Sequence, residues 1–284
     1  MKIQRIGIVG GGLMGSGIAE VAARAGSDVL LSEPTQELLD KARQRIVASL
    51  DRAVERQKLS ESDRDAALGR ITFTTDLSEF EDRQLVIEAV TEDEDLKKEI
   101  FRRLDDILGH EEAILASNTS SIPITRLAAA TGRPERVVGM HFFNPVPVMA
   151  LMELVTTVRS SAEVEAIAED YAANTLGKTV IRAKDRAGFV VNMLLVPYLL
   201  GAIRMYEAGF ASARDIDTGM KLGANHPMGP LELCDFIGLD TMKHVADVLF
   251  DEYKEPMYAS PPLLTRMVEA GMLGRKTGRG FYEY

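Results

Sequence analysis

Residues 6–26 read IGIVGGGLMGSGIAEVAARAG, and they contain the pattern G-x-G-x-x-G at Gly10, Gly12 and Gly15. An apolar run precedes the glycines, and residues 13–25 have the apolar spacing of a helix. The first glycine permits a tight turn, the second lets a pyrophosphate approach the backbone, and the third lets the helix pack closely. Because the positive end of the helix faces the anion, the segment predicts a dinucleotide site, with Leu13 and Met14 among its contacts.

An acidic residue about 20 positions after the glycines accepts the ribose hydroxyls in such sites. Glu33 lies 21 residues after Gly12, at the end of the next strand pattern. A carboxylate there repels a 2′-phosphate, and Ser32, Pro34 and Thr35 are neutral. The sequence therefore predicts that NAD is preferred over NADP as the cofactor. The motif alone leaves open FAD, or a glycine turn without a ligand.

Short apolar runs at residues 5–9, 28–31, 85–89 and 113–116 alternate with helical patterns, as in the βαβ units of a parallel sheet. Beyond Gly188 the pattern becomes helical, as in residues 189–208. We therefore predict an α/β fold, with a Rossmann-like, mostly parallel sheet domain at residues 1–184. An all-helical C-terminal domain is expected at residues 185–284.

A helical insert, predicted as a helical hairpin over about residues 36–69, separates the second strand from a strand at residues 71–74. Apolar residues at helical spacing form one face of its first helix: Leu38, Leu39, Ala42, Ile46, Leu50 and Ala53. Residues 36–58 contain six basic and four acidic side chains, a local charge of +2 in a chain of net charge −10. One interpretation of this surplus is a functional role for the insert. The alternative is an ordinary solvated helix face.

The composition excludes several classes of partner. With 33 Lys and Arg against 43 Asp and Glu, the net charge has the wrong sign for binding nucleic acid. No window reaches the roughly 18 apolar residues that a membrane span requires, and the N-terminus lacks the pattern of a secretory signal. We expect a soluble, cytoplasmic protein without a metal site. Cys234, the one cysteine, is expected to be a small buried apolar side chain.

A His/Glu pair is the predicted catalytic feature. Strand patterns at residues 136–143 and 150–156 flank a segment with two prolines. An antiparallel hairpin centred near Pro147 places His141 directly opposite Glu153. The imidazole can take a hydroxyl proton near neutral pH, and the carboxylate can fix its tautomer and stabilise the imidazolium. The alternative is a histidine with a structural role only.

The segment SNTSS, residues 117–121, follows the strand pattern at residues 113–116. It lies at the carboxyl end of the predicted sheet, where open α/β folds bind ligands. Hydroxyl groups there can orient a substrate oxygen. One of these residues is also expected to cap the helix predicted at residues 123–130.

Six motifs resemble those of the L-3-hydroxyacyl-CoA dehydrogenase family, most closely its short bacterial members that act on 3-hydroxybutyryl-CoA. The resemblance covers nearly the whole chain. The motifs are GIVGGGLMGSGIA at residues 7–19, ASNTSSIPI at 116–124, HFFNPVPVM at 141–149, GFVVNMLLVPYL at 188–199, NHPMGPLELCDFIGLD at 225–240 and GRKTGRGFY at 274–282.

The resemblance assigns roles to residues that match these motifs. It makes His141 the general base and Glu153 its partner, and it adds Ser120 and Asn192 as residues that hold the reacting oxygens of the substrate. The cofactor contacts that it implies are Glu92, Lys97, Ser120, Asn144 and Lys276. The CoA contacts that it implies are Ser49 and Arg56, where relatives can have lysine. Many relatives have aspartate at the position of Glu33.

The resemblance implies reversible, NAD-dependent oxidation of an (S)-3-hydroxyacyl-CoA to the 3-ketoacyl-CoA, by a homodimer formed through the C-terminal domain. Two alternatives stay open: a dehydrogenase of a free hydroxy acid such as L-gulonate, and a non-catalytic nucleotide-binding protein of the kind found among lens crystallins. The basic insert and the segment NHPMGP favour the CoA ester. The four intact catalytic positions favour an enzyme.

Overall fold

The computed structural model describes residues 2–284. Internal contacts divide the chain into two compact units, of which the first ends at Arg186 and the second begins at Ala187. The predicted boundary, between residues 184 and 185, lies two residues before this division. Asp185 belongs to the first unit because its carboxylate accepts hydrogen bonds from the backbone amides of Ile124 and Thr125.

An eight-stranded sheet forms the centre of the first unit, in the order β3-β2-β1-β4-β5-β6-β7-β8. All neighbouring strands are parallel except β6 and β7. The strands are β1 Arg5–Val9, β2 Asp28–Ser32, β3 Ile71–Thr74, β4 Leu85–Glu88, β5 Ile114–Ser117, β6 Val137–Phe142, β7 Leu151–Thr156 and β8 Thr179–Lys184. The predicted Rossmann-like, mostly parallel sheet is confirmed.

Six α-helices accompany the sheet in the first unit: α1 Leu13–Arg24, α2 Gln36–Glu55, α3 Glu61–Leu68, α4 Glu94–Ile107, α5 Ile124–Ala128 and α6 Ala162–Asp170. The predicted insert corresponds to α2 and α3. Each of these two begins at a hydroxyl cap, because Thr35 accepts from the amide of Leu38 and Ser60 accepts from that of Asp63. Helix α2 packs on the unit through Leu39, Ala42, Ile46 and Leu50, the buried part of its predicted apolar face.

The sheet reverses its order between β1 and β4. From β1 the chain proceeds through α1 to β2 and β3 on one side, and it returns to place β4 and β5 on the other. In open parallel sheets the crevice at such a point, outside the carboxyl ends of the strands, is where ligands bind. The glycine turn after β1 lies at this crevice.

One strand and one helix cap differ from expectation. Strand β8 was not predicted. It is an edge strand whose only buried side chain is that of Ala183, and such exposure leaves no clear apolar pattern in the sequence. The expectation that a residue of SNTSS caps the following helix is wrong. That helix is α5, and its first two amides donate to Asp185 at 2.7 Å each, so a residue distant in sequence supplies the cap.

The second unit contains the helices α7 Val191–Glu207, α8 Ala213–Gly223, α9 Pro230–Ile237, α10 Leu239–Tyr253 and α11 Pro262–Glu269. They surround a core of their own, which includes Leu199, Leu231, Leu249 and the fully buried Cys234. The predicted all-helical domain is confirmed. In residues 2–284, no helix combines the length and the apolar character needed to cross a membrane.

Candidate active site

The glycine turn has the geometry of a dinucleotide site. Gly10 has a φ of +98°, and a Cβ there would lie 2.7 Å from the carbonyl oxygen of Ala89. A Cβ on Gly15 would lie 1.7 Å from the carbonyl oxygen of Gly10, so α1 packs here only without a side chain. Beyond its chain neighbours, no described atom lies within 4 Å of the position that a Cβ of Gly12 would take. This open space before the first turn of α1 can admit a pyrophosphate, beside Leu13 and Met14.

Glu33 and Arg45 contact the glycine turn at one residue. The Oε1 atom of Glu33, just beyond β2, accepts a hydrogen bond of 2.5 Å from the amide of Gly11. The Nη1 atom of Arg45, on α2, donates to the carbonyl oxygen of Gly11 at 3.2 Å. Arg45 was not predicted at this site, because it is not a chain neighbour of Glu33 and α2 brings it to the turn from the insert.

The His/Glu pair forms as predicted. In the hairpin of β6 and β7 the register sets His141 opposite Glu153. The Nδ1 atom of His141 lies 2.6 Å from the Oε2 atom of Glu153, and both side chains are buried. The ring of Phe143 packs on the imidazole at a centroid distance of 4.7 Å. A carboxylate at Nδ1 fixes the proton on that nitrogen, so acid-base chemistry would take place at Nε2.

The SNTSS segment is held on both sides of Ser120. Asn118 Oδ1 accepts from the backbone amide of Phe142 at 3.0 Å, which joins the segment to β6 one residue beyond His141. The hydroxyl groups of Thr119 and Ser121 both donate to the Oε1 atom of Glu92. Ser120 itself is half-buried. The fold therefore fixes the loop that carries Ser120 next to the strand that carries His141.

A charge cluster lies beneath this loop, in which Glu88 and Lys97 are buried and Glu92 is partly exposed. The Nζ atom of Lys97 is 2.6 Å from Oε1 of Glu88 and 3.4 Å from Oε2 of Glu92. Burial by itself would raise the pKa of Glu92, but the charge of Lys97 and the hydrogen bonds from Ser121 and Thr119 hold that pKa below its ordinary value. Glu92 therefore stays ionised. Sequence reasoning missed Glu88, although an acid at the end of the apolar strand LVIE was a usable signal.

A cleft of about 410 Å³ is lined by residues of α1, α2 and the loop after β6. Its lining contains the cations Lys41, Arg45 and Arg52 of α2 together with Ser49. The structure brings together here three predicted site residues, namely Leu13, Ser49 and Asn144. The described residues that line the cleft do not include Arg56, which follows α2 as its C-cap and has an exposed side chain.

Glu20 of α1 forms part of the same cleft, and only 1% of its surface is exposed. Burial raises the pKa of its carboxyl group, and the hydrogen bond with Ser49 and the charge of Arg24 offset this only in part. The wall formed by α2 is basic, whereas α1 contributes this single acid.

Two predicted site residues belong to the second unit. Asn192 is the second residue of α7 and is half-buried. The Nζ atom of Lys276 lies 2.5 and 2.6 Å from the two carboxylate oxygens of Asp240, the second residue of α10. Lys276 is thus held at the beginning of α10 by an ion pair within its own unit.

Comparison with protein families gives two matches. Residues 5–186 match the model described as 3-hydroxyacyl-CoA dehydrogenase, NAD binding domain. Residues 188–284 match the model described as 3-hydroxyacyl-CoA dehydrogenase, C-terminal domain. Both parts of the chain are therefore similar to domains of one enzyme family.

Individual proteins show the same similarity over their whole length. The chain is 60% identical over 282 residues to the 3-hydroxybutyryl-CoA dehydrogenase of Mycobacterium tuberculosis, which covers 99% of each protein. The crystal structure of FadB2 from M. tuberculosis matches with a TM-score of 0.99 and 60% identity, over 100% of both chains. The (S)-3-hydroxybutyryl-CoA dehydrogenase PaaH1 from Ralstonia eutropha matches with a TM-score of 0.95 and 47% identity, over 100% of this chain and 99% of that one.

Proposed function

Because the chain belongs to the 3-hydroxyacyl-CoA dehydrogenase family, we propose that it oxidises (S)-3-hydroxybutyryl-CoA reversibly to acetoacetyl-CoA with NAD. The observation that carries this proposal is the 2.6 Å contact between His141 and Glu153, beside the loop that carries Ser120. A buried imidazole with a carboxylate on Nδ1 is suited to removing a proton from an alcohol.

His141 is the general base in this proposal. Its Nε2 atom takes the proton of the substrate hydroxyl group, and Glu153 stabilises the resulting imidazolium from Nδ1. In the reverse direction the imidazolium returns the proton to the carbonyl oxygen. NAD, when bound, supplies the acceptor for the hydride from the carbon that carries the hydroxyl group. Ser120 and Asn192 are proposed to hold the reacting oxygens of the substrate.

The proposed cofactor site extends from the glycine turn. Gly10, Gly12 and Gly15, with Leu13 and Met14, would surround the pyrophosphate, and Glu33 would accept the ribose hydroxyls. The remaining proposed cofactor contacts are Glu92, Lys97, Ser120, Asn144 and Lys276. The open backbone at Gly12 and the carboxylate of Glu33 beside Gly11 support this assignment.

The proposed CoA site is the cleft beside α2. Ser49 lies in its lining with three cations, and Arg56 follows at the end of the same helix. Cations are the side chains that recognise phosphate groups, because they form charge-assisted hydrogen bonds. Binding of phosphate groups would therefore explain the basic surplus of the insert, which an ordinary solvated helix face does not require.

We also propose a cytoplasmic homodimer formed through the second unit. The second unit exposes several large apolar side chains, namely Leu194, Met205, Phe210 and Leu222. An apolar groove of about 420 Å³ lies among α7, α8 and α9 in the same unit. Exposed apolar surface of this kind marks association sites.

The substrate class is tested by following the absorbance of NADH at 340 nm with acetoacetyl-CoA or free acetoacetate. We expect rapid oxidation with the thioester, and a kcat/KM lower by roughly 100-fold or more with the free acid, because binding energy from CoA contributes to catalysis. Comparable rates with acetoacetate would identify a dehydrogenase of free hydroxy acids. Binding of NADH without turnover of either compound would identify a non-catalytic nucleotide-binding protein.

A further inference from the structure

Glu88 is the last residue of β4, and its side chain is fully buried. Its Oε1 atom accepts hydrogen bonds from the amide of Val90 at 2.7 Å and from Nζ of Lys97 at 2.6 Å. Its Oε2 atom accepts from the hydroxyl group of Ser117 at 2.7 Å. One carboxylate thus connects the loop after β4, helix α4 and the end of β5.

A carboxylate is costly to bury unless it is paired and hydrogen-bonded. Glu88 stands at the end of an otherwise apolar strand, where a neutral residue would avoid that cost. Its position therefore calls for a reason beyond stability. The carboxyl ends of β4 and β5, where it lies, form one side of the ligand crevice.

The direction of the cofactor follows from the glycine turn. Glu33, which the proposed function assigns to the adenosine ribose, is beyond β2 on one side of β1. The pyrophosphate lies over the N-terminus of α1, so the nicotinamide half must extend to the other side, over β4 and β5. The cluster of Glu88, Lys97 and Glu92 occupies that side.

The cluster has a net charge of −1, because two carboxylates face one ammonium group. The oxidised nicotinamide ring is a cation, whereas the reduced ring is neutral. A fixed negative charge at this side of the crevice attracts the cation and has little effect on the neutral ring. Binding of the oxidised cofactor should therefore depend on this cluster more strongly than binding of the reduced cofactor does.

We propose that Glu88 is a positioning residue that fixes Lys97 and the loop beginning at Ser117, keeps the cluster at −1, and so favours the oxidised cofactor. It acts through these neighbours and needs no contact with the cofactor. The proposal rests on the proposed function, since it requires NAD in the crevice.

The test is the ratio of the dissociation constants of NAD⁺ and NADH, measured by calorimetry without turnover. Glu88→Gln keeps the shape of the side chain and one acceptor oxygen, which can serve Val90 and Lys97, but it replaces the other oxygen with an NH2 donor and removes the charge. We expect the ratio Kd(NAD⁺)/Kd(NADH) to rise by on the order of 3- to 10-fold. Glu88→Asp keeps the charge, so the ratio should stay within about twofold of the wild-type value even where both affinities fall.

Two further variants separate the charge effect from a loss of stability. Asp105→Asn removes a carboxylate that pairs with Arg133 at 2.5 Å, two turns along α4 from Lys97, and should leave the ratio unchanged. Glu92→Gln removes the same charge as Glu88→Gln from a side chain that is 26% exposed, and should raise the ratio in the same direction.

An unchanged ratio in folded Glu88→Gln, or in Glu92→Gln where the first variant does not fold, would contradict the proposal. An equal rise in Glu88→Asp would also contradict it, because geometry would then be the cause. If wild-type protein binds both nucleotides and the variants have the same ratio of dissociation constants as wild type, this inference alone is overturned. Wild-type protein that binds neither overturns the proposed function as well.

Discussion

Glu33 and Arg45 place opposite charges on the two sides of Gly11, one at its amide and one at its carbonyl oxygen. The carboxylate suits the ribose hydroxyls of NAD and repels the 2′-phosphate of NADP. The guanidinium group nearby is of the kind that accommodates that phosphate when the acid is absent. Cofactor preference therefore depends on the charge of one side chain.

Glu33→Gln should shift the preference toward NADPH. We expect kcat/KM for NADPH relative to NADH to rise roughly 5- to 30-fold, because one charge repulsion at the crevice disappears. Initial rates with both cofactors at saturating acetoacetyl-CoA provide the measurement. Arg45→Met in the same background should remove the gain, and a ratio equal to that of wild type in Glu33→Gln would disprove the assignment.

Glu20 gives stability a pH dependence of predictable sign. Burial raises its pKa above the ordinary value of 4.5, so the folded protein holds this proton to higher pH than the unfolded chain does. Stability from this group is therefore present at low pH and is lost as the pH rises through the raised pKa. The Gln side chain of Glu20→Gln does not titrate. The melting temperature of this variant minus that of wild type should therefore be larger at pH 8 than at pH 5.

Calorimetric melting of both proteins at the two pH values tests this prediction. Glu37→Gln is the matched control, because the bond and charge of Lys41 lower the pKa of that exposed carboxyl. This variant should show no such gain at pH 8. A melting difference between Glu20→Gln and wild type that is the same at both pH values would refute the account of Glu20.

Some contacts of single residues were predictable and others were not. His141 and Glu153 lie at equal distances from Pro147, so the hairpin register follows from local sequence alone. Glu88 and Lys97 are nine residues apart, and no periodicity relates the end of a strand to the helix after it. Arg45 reaches Gly11 across 34 residues, which requires knowledge of how α2 packs.

Among the elements, α5 shows most clearly how a distant residue completes local structure. Its first amides donate to Asp185, and the hydroxyl group of Thr125 donates to the same carboxylate. Unsatisfied amides at the first turn of a helix destabilise it, so the cap contributes to the stability of the first unit.

Asp185→Ala should destabilise the protein by about 1–2 kcal/mol, because it removes this cap. Urea unfolding followed by circular dichroism measures the change. Asp106→Ala, at an exposed position of α4, is the control and should stay within about 0.5 kcal/mol of wild type. A loss of similar size in both variants would show that the cap has no special contribution.

Elements with a strong apolar pattern were predictable, and those without one were not. The insert followed from the apolar face of α2, and the central strands followed from runs buried by helices on both sides of the sheet. Strand β8 lacks such a run because it lies at the edge of the sheet, with Arg182 and Lys184 exposed. Its pairing with β7 depends on tertiary contacts.

The chain as a whole consists of two units, each with its own buried core. The exposed apolar residues of the second unit predict association, and a monomer has a mass of 31.2 kDa. Sedimentation equilibrium should therefore give twice this mass. Phe210→Glu, which places a charge on a side chain that is 79% exposed, should shift the protein toward the monomer, whereas a wild-type monomer would contradict the dimer.

In the proposed mechanism, catalysis depends on proton transfer at His141, and Glu153 contributes through its contact with the imidazole. His141→Gln can neither take the substrate proton nor return it to the carbonyl oxygen, but it leaves the glycine turn and Glu33 unchanged. The direct measurement is single-turnover oxidation of bound NADH by acetoacetyl-CoA, together with the Kd of NADH, in this variant and in exposed His110→Gln as the control. We predict a rate lower by on the order of 10²- to 10⁴-fold in His141→Gln, with the Kd within about twofold of wild type. A wild-type rate in His141→Gln would contradict the account.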